Sequence, residues 1–151
     1  MSWLEEAAKA FAPLIKQNMS TIGNMGKAFY EKYGDEALPV ISEVMGKNGV
    51  AMAEMSKGMV QAEGMKAVGQ LFGMFEMFDM GLDVVEVSDD KVHFKIAPCP
   101  LCVEGTSMEL CEAMMTSDKK MVETMIGQEV KMEIPKSVAV GDEYCEVLFK
   151  K

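Results

Sequence analysis

The sequence predicts an α+β fold, in which an N-terminal helical layer packs on an antiparallel sheet of about four strands, with helices inserted between the hairpin and the last two strands. Two observations predict it. Apolar residues recur at helical spacing through residues 1–80, and after Gly81 they alternate every second residue, as in strands. The 151 residues are 49% hydrophobic and 26% charged, which is typical of a single globular domain over 1–151, with a helical half at 1–80 and a strand-rich half at 81–151.

The helical half contains several amphipathic segments. Residues 2–17 carry an apolar stripe, which Pro13 is expected to kink. Ser20 is the expected N-cap of a second helix, because its hydroxyl can accept a hydrogen bond from the first turn. A third helical pattern starts at Asp35, and a last one covers 64–79. The pattern predicts a layer of helices before the first strand.

The second half alternates between strands and helices. The expected strands are 82–87, 92–96, 130–134 and 144–149. The first two form an antiparallel hairpin with one buried face. Thr106 has the spacing to Glu109 that is typical of a capping box, and Asp118 is the expected cap of a further short helix. Two helices are therefore expected between the hairpin and the last strands.

Charge and hydropathy disfavour several classes of partner. The net charge is −9 and the isoelectric point is near 4.7, whereas nucleic-acid binding requires clustered basic side chains. No apolar run approaches the length of a membrane span, and an acidic chain is repelled by anionic membranes. The first residues, Met-Ser-Trp-Leu-Glu-Glu, lack the segments of a secretory signal. We expect a cytoplasmic protein that binds neither nucleic acid nor membrane, with its cysteines kept reduced.

Four cysteines are the main candidates for a functional site. Cys99 and Cys102 form a Cys-Pro-Leu-Cys pair, whose spacing lets two sulfurs face one ion from a tight turn. Cys111 lies on the following helix and Cys145 on the last strand. If these segments meet, four thiolates can hold zinc in a closed tetrahedral site or bind an iron–sulfur cluster. We therefore predict a metal site made by all four cysteines.

Other interpretations of these residues remain open. The Cys99–Cys102 pair could act as a redox dithiol, because a nearby helix start lowers a thiol pKa. Cys111 and Cys145 could be buried packing residues. His93 is the only histidine and alternates to the outer face of its strand. It is either a solvated residue or, six residues before Cys99, a fifth ligand or proton donor.

Two compositional biases concern the ligand. The 17 methionines lie mainly on apolar helix faces, where Met packs an ordinary core or lines an adaptable pocket. All 15 basic residues are Lys, so no guanidinium group can bind a carboxylate or phosphate. We expect a pocket lined by Met and Phe that accepts a small hydrophobic or cofactor-like molecule. The Met-rich helices would also suit a homodimer interface.

Three short motifs carry a resemblance to known families. They are Cys99-Pro100 after a strand, Leu110-Cys111 on a helix, and Gly141-Asp142-Glu143-Tyr144-Cys145-Glu146-Val147 near the end. Over residues 28–149 the chain resembles the 4-vinyl reductase (hydrocarbon-binding) domain family and the L-2-amino-thiazoline-4-carboxylate hydrolase-like family. The resemblance implies a helical layer on an antiparallel sheet, with a ligand pocket between the layers and often a cysteine-bound metal.

Two main functions are consistent with these features. The first is a small-molecule-binding or sensing protein, with a zinc ion or iron–sulfur cluster on the four cysteines beside the apolar pocket. The second is a ring-opening hydrolase, in which a metal activates water or Cys99 or Cys102 acts as nucleophile. A redox dithiol protein and a structural protein that acts as a homodimer are further alternatives. The sequence leaves open whether the chain is an enzyme.

Overall fold

A computed structural model describes residues 2–151, which form four α-helices and one four-stranded antiparallel sheet. The helices are α1 (Trp3–Tyr33), α2 (Ala37–Ser56), α3 (Gly64–Glu76) and α4 (Met108–Ile126). The strands are β1 (Leu82–Val87), β2 (Lys91–Ile96), β3 (Lys131–Lys136) and β4 (Cys145–Lys150). The predicted α+β class is confirmed. Among the helices of residues 2–151, none has the length and apolar character needed to cross a bilayer.

The sheet has the strand order β1-β2-β4-β3, so the last strand of the chain lies beside the second. In the β2–β4 pair, Phe94 is opposite Val147 and Ile96 is opposite Cys145. On β4 the residues alternate between buried and half-buried, because successive side chains point to opposite faces. This register brings the start of β4 to the end of β2, next to the loop that carries Cys99.

Helix α1 is continuous, so the prediction of two helices separated at Ser20 is wrong. A capping box between Ser2 and Glu5 begins the helix, and Pro13 and Ser20 both lie inside it. Pro13 lacks the N–H that would bond the carbonyl of Lys9, but both residues are exposed, so water can satisfy that carbonyl. The helix therefore continues through the proline.

Helix α4 is also continuous, and the predicted caps at Thr106 and Asp118 are wrong. Ser107 is the N-cap, because its hydroxyl accepts a hydrogen bond of 3.1 Å from the backbone N–H of Leu110. The helix runs without interruption to Gly127, whose left-handed backbone closes it. Asp118 thus lies in the middle of a long helix, on the side that faces the interior.

Close packing of α2 against α4 fixes the position of this central part of α4. At Gly49 a Cβ atom would overlap the backbone carbonyl oxygen of Ser117. The two backbones approach so closely only because Gly49 has no side chain. The side-chain amide of Asn48 donates a hydrogen bond of 3.1 Å to the hydroxyl of Ser117. Helix α2 therefore holds the Ser117–Asp118 turn in place.

Candidate functional site

A cavity of about 320 Å³ lies between the helical layer and the sheet. Residues from all four helices and all four strands line it. Its methionines are Met19, Met45, Met52, Met80, Met114, Met115 and Met121, and its phenylalanines are Phe72, Phe75 and Phe94. A wider depression of about 1030 Å³ between α2, α4 and β3 is open to solvent. The enclosed cavity is the better candidate for a ligand site, since burial of the ligand provides most of its affinity.

Three of the four cysteines come together at one end of this cavity. Cys99 follows β2, Cys111 lies on the first half of α4, and Cys145 begins β4. All three are buried in one hydrophobic cluster and line the same cavity. A loop, a helix and the terminal strand therefore meet at this point, although they are far apart in the sequence.

Cys102 lies apart from the other three. Its backbone has a positive φ of 55°, and its thiol donates a hydrogen bond of 3.4 Å to the Ser20 hydroxyl on α1. It lines a second pocket, of about 350 Å³, between α1 and the cysteine loop. Cys99 contributes to both pockets, so the loop forms the wall between them. The two cysteines of the pair therefore face different surroundings.

The thiols of Cys99 and Cys111 are held in their neutral form. Burial raises the pKa of Cys111 to about 11, although the Ser137 hydroxyl partly opposes this. Burial also raises the pKa of Cys99, and the neighbouring Cys145 adds to the effect. An attacking thiol in a catalytic or redox site needs a lowered pKa instead. These two thiols are therefore weak nucleophiles at neutral pH.

The donor groups do not fit a metal site in this arrangement. Within residues 2–151, no three His, Cys, Asp or Glu side chains are grouped so that they could hold a metal ion. The hydrogen bond of Cys102 to Ser20 keeps the fourth predicted ligand away from the others. The zinc ion or iron–sulfur cluster stays a prediction.

His93 lies outside the cavity. Its Nε2 atom is 2.7 Å from Glu146 Oε1, and both side chains are largely buried against the sheet. It points to the face opposite Val92 and Phe94, which are buried in the core. This position follows the predicted alternation, and it makes His93 a partner of Glu146 on the outer face of the sheet.

Asp118 is a site residue that the sequence reasoning missed. It lines the cavity, and burial alone raises the pKa of its carboxyl to about 6. The side-chain hydrogen bonds and ion pairs of residues 2–151 include none to Asp118; the nearest polar pair on its helix joins Ser117 to Asn48. A carboxyl group without a protein partner in an apolar cavity is a candidate to bind a ligand or to accept a proton.

The helical spacing contained a signal for Asp118. Cys111, Met114, Met115 and Met121 are three, four or seven residues away, so they share one face of a continuous helix with it. An acid inside such an apolar stripe is unusual unless it has a function or a partner. The predicted break at Asp118 would put these residues on separate helices, whereas the continuous helix α4 keeps them on one face.

The lining of the cavity is acidic. No Lys, Arg or His is among the described residues that line it, and Asp118 is the charged residue there. The remaining polar groups are the cysteine thiols and the hydrogen-bonded pair of Asn48 and Ser117. The cavity therefore offers an acceptor for a proton or a cation and no cationic side chain for an anion.

Comparison with known proteins gives two similarities. The model of the family described as L-2-amino-thiazoline-4-carboxylic acid hydrolase matches residues 5–149. In structure, the chain is similar to the phenol-responsive sensory domain of the transcription activator PoxR, solved with phenol. The TM-score is 0.66 at 14% identity, over 87% of this chain and 73% of that chain. No curated protein sequence matches.

Proposed function

This chain belongs to the L-2-amino-thiazoline-4-carboxylic acid hydrolase family, and we propose that it binds a small, mainly apolar molecule in its central cavity. The observation that carries the proposal is the enclosed cavity of about 320 Å³ lined by methionine and phenylalanine. An apolar cavity of about 150 Å³ already accepts benzene, so this one has room for a ring with a short substituent. The sensory domain of similar fold was solved with phenol, a molecule of this size.

The methionines give the cavity an adaptable wall. Their side chains are unbranched and can change rotamer at low cost, so the cavity can fit related molecules of different shape. The tilted rings of Phe72 and Phe94 are in contact, with centroids 4.7 Å apart, and give one side of the wall a fixed shape. Such a site suits a sensing or carrier role for hydrophobic compounds.

Blocking the cavity tests this function. Met115 and Met125 are both half-buried methionines on α4, but only Met115 lines the cavity. We expect toluene and phenol to bind saturably to the wild-type chain and to Met125→Trp. Neither ligand should bind to Met115→Trp, because the indole fills the cavity. Titration calorimetry measures the affinities. Equal binding by both variants would contradict the cavity as the site.

A second candidate function is hydrolysis, which the family description favours. Asp118 supports it, because a carboxyl with a pKa of about 6 is a stronger base than an ordinary aspartate and could activate water. The absence of a cation among the lining residues opposes it, since a carboxylate substrate would meet Asp118 without a counter-ion. Incubation with L-2-amino-thiazoline-4-carboxylate tests it. Turnover that Asp118→Asn abolishes would support this candidate over simple binding.

We also propose zinc binding by Cys99, Cys102, Cys111 and Cys145 as a hypothesis to test separately. It requires Cys102 to leave the Ser20 hydroxyl and turn toward the other three thiols. Titration of the reduced chain with zinc should then show one equivalent bound, and Cys145→Ser should lower the uptake. An iron–sulfur cluster would instead give a coloured protein when purified without oxygen. If the chain took up neither zinc nor an iron–sulfur cluster, the hypothesis would be contradicted.

A homodimer through α1 is a further proposal. This helix exposes large apolar side chains, with Trp3 80%, Phe11 58% and Met25 69% accessible. Large apolar side chains exposed together on one helix commonly mark an interaction surface. Light scattering after size-exclusion chromatography measures the mass in solution. We expect a dimer for the wild type and a monomer for Phe11→Asp, and a monomeric wild type would contradict the proposal.

A further inference from the structure

The carboxyl group of Asp118 has an unusual position for an acidic side chain. It lies on the inner face of α4, with Met114, Met115 and Met121 among its neighbours on the helix, and it borders the cavity. Asp118 is half-buried, residues 2–151 supply its carboxyl with neither a hydrogen bond nor an ion pair, and burial is the one cause of its raised pKa. Such a group is normally paired inside a protein.

The space next to Asp118 is open to a ligand. Asp118 is one of the residues that line the cavity, so a molecule bound in the cavity lies next to it. A group that accepts hydrogen bonds and receives none from the protein can receive them from the ligand. The ligand would then have a donor at one end and an apolar body against the methionine wall.

We propose that Asp118 anchors the ligand through its amine group, so that the molecules this cavity binds are small, mainly apolar amines. The inference rests on the proposed function, that is, on the binding of a small apolar molecule in the cavity. An ammonium group suits the site best, because it brings donors and a positive charge to an unpaired carboxylate. The apolar body contributes affinity by burial, and Asp118 contributes selectivity.

The other groups around the cavity support this class of ligand. No Lys, Arg or His among the described lining residues competes for the carboxylate or would attract an anion. The thiols of Cys99 and Cys111 are neutral at pH 7, because burial raises the pKa of each. The amide of Asn48 is already bonded to Ser117. A carboxylic acid in this cavity would therefore lie near Asp118 with nothing to offset the repulsion.

Three probes of similar size separate charge from shape. They are 2-phenylethylamine, n-propylbenzene and 3-phenylpropanoate, which carry a cationic, a neutral and an anionic end on the same phenylethyl body. Titration calorimetry at pH 7.5 gives the affinity of each for the wild-type chain and for Asp118→Asn. We expect Asp118→Asn to lower the affinity for the amine by about tenfold to a hundredfold, which is the range for the loss of a hydrogen bond to a charged group. Propylbenzene should bind both proteins equally, and phenylpropanoate should bind the variant more tightly than the wild type.

A matched variant controls for the change in net charge. Asp83 is an exposed aspartate on β1, so Asp83→Asn removes one charge outside the cavity and should leave all three affinities unchanged. Amine affinity that is equal in the wild type and Asp118→Asn would overturn the inference, as would tighter binding of the acid than of the amine. If propylbenzene binds while the amine does not, the inference fails and the proposed function stands. If none of the three binds, the proposed function itself is contradicted.

Discussion

The hydroxyl of Ser137 donates a hydrogen bond to Cys111 Sγ over 3.3 Å, and Ser137 is fully buried. The bond connects the segment after β3 to helix α4. Nearby, the Sγ atom of Cys145 accepts a hydrogen bond of 3.4 Å from the backbone N–H of Val138. Two of the cysteines therefore hold the turn after β3 against the cavity wall. Cys111 and Cys145 have a structural role here whether or not they bind a ligand.

We expect Ser137→Ala to destabilise the fold. The substitution removes the bond to Cys111, and it leaves the N–H of Ala139, now 3.1 Å from the Ser137 oxygen, without an acceptor. An unsatisfied buried donor costs about 1–3 kcal/mol. Urea unfolding measures the change in the free energy of unfolding. Ser42→Ala is the control, because the half-buried Ser42 on α2 makes no side-chain hydrogen bond within residues 2–151. Equal midpoints for the two variants would contradict the prediction.

The pKa of Asp118 predicts how stability depends on pH. The folded chain holds this pKa near 6, above the ordinary value of 3.8, because burial disfavours the carboxylate. Between about pH 4 and pH 6 the folded state binds more protons than the unfolded state at this group, so this contribution to stability is present at low pH and is lost as the pH rises. A shift of about two pKa units corresponds to about 3 kcal/mol.

Asp118→Asn should therefore raise the free energy of unfolding by about 1–3 kcal/mol at pH 7.5, because the amide is not ionised, and by much less at pH 4. Urea unfolding of both proteins at the two pH values gives the difference. The exposed Asp83→Asn serves as the control and should show little change at either pH. A gain for Asp118→Asn that is the same at pH 4 and pH 7.5 would show that Asp118 titrates normally in the folded chain.

Substitution of two helix glycines by alanine should change the stability of the fold in opposite directions. At Gly49 the new Cβ would overlap the carbonyl oxygen of Ser117, whereas at Gly73 on α3 nothing lies within 4 Å. Gly49→Ala must separate α2 from α4, and overpacking of this kind costs about 1–3 kcal/mol. Gly73→Ala should gain about 0.5–1 kcal/mol, because alanine is the better helix former. Thermal unfolding measures both, and a stabilised Gly49→Ala would refute the close approach of the two helices.

The four cysteines should differ in their reaction with iodoacetamide at pH 8. Cys102 is half-buried and lines the pocket beside α1, whereas Cys111 is buried and has a pKa raised by burial to about 11. Alkylation needs access and the thiolate form, so the more accessible Cys102 should react well before Cys111. Peptide mass spectrometry gives the order. Cys102→Ser should remove the fast phase, and an early reaction of Cys111 would contradict the description of its surroundings.

The sheet could be predicted from the sequence because alternation encodes which face is buried. Val92 and Phe94 on β2, and Cys145, Val147 and Phe149 on β4, follow a period of two and are buried as expected. Helix boundaries could not be predicted in the same way. Thr106 and Ser107 are adjacent residues with similar capping ability, and only the backbone path decides that Ser107 reaches the N–H of Leu110.

The site was predictable only in part, for a related reason. The approach of Cys145 to the Cys99 loop follows from the sheet order, which puts the start of β4 beside the end of β2, and alternation along the strands does not determine that order. The orientation of Cys102 depends on one positive φ angle, and the spacing of the Cys-Pro-Leu-Cys pair does not determine that angle. Asp118 was missed because its meaning depends on whether α4 is one helix or two. Local patterns therefore identified the elements but not the details that set the chemistry of the cavity.

The contact between α1 and the cysteine loop should control ligand binding. Gly23 is one of the few buried residues of α1, and a Cβ there would overlap the backbone carbonyl of Leu101. Gly23→Ala should therefore push α1 away from the loop. Ile15, Met19 and Ile22 of α1 line the cavity, so this movement opens its wall to water. Toluene affinity should fall by about tenfold or more, since the loss of roughly one buried side-chain contact is worth about 1.5 kcal/mol.

In Gly23→Ala the free energy of unfolding should change less than the free energy of toluene binding. The reason is that α1 buries few residues and the sheet packs mainly against α3 and α4. Gly58→Ala is the matched control, since Gly58 lies in the turn after α2 with nothing within 4 Å, and toluene affinity should be retained there. Calorimetry with toluene and urea unfolding of the same samples separate the two effects. If Gly23→Ala bound toluene as tightly as the wild type, the α1 residues would not form a wall of the ligand site, and the cavity would have to be closed by the sheet and the remaining helices alone.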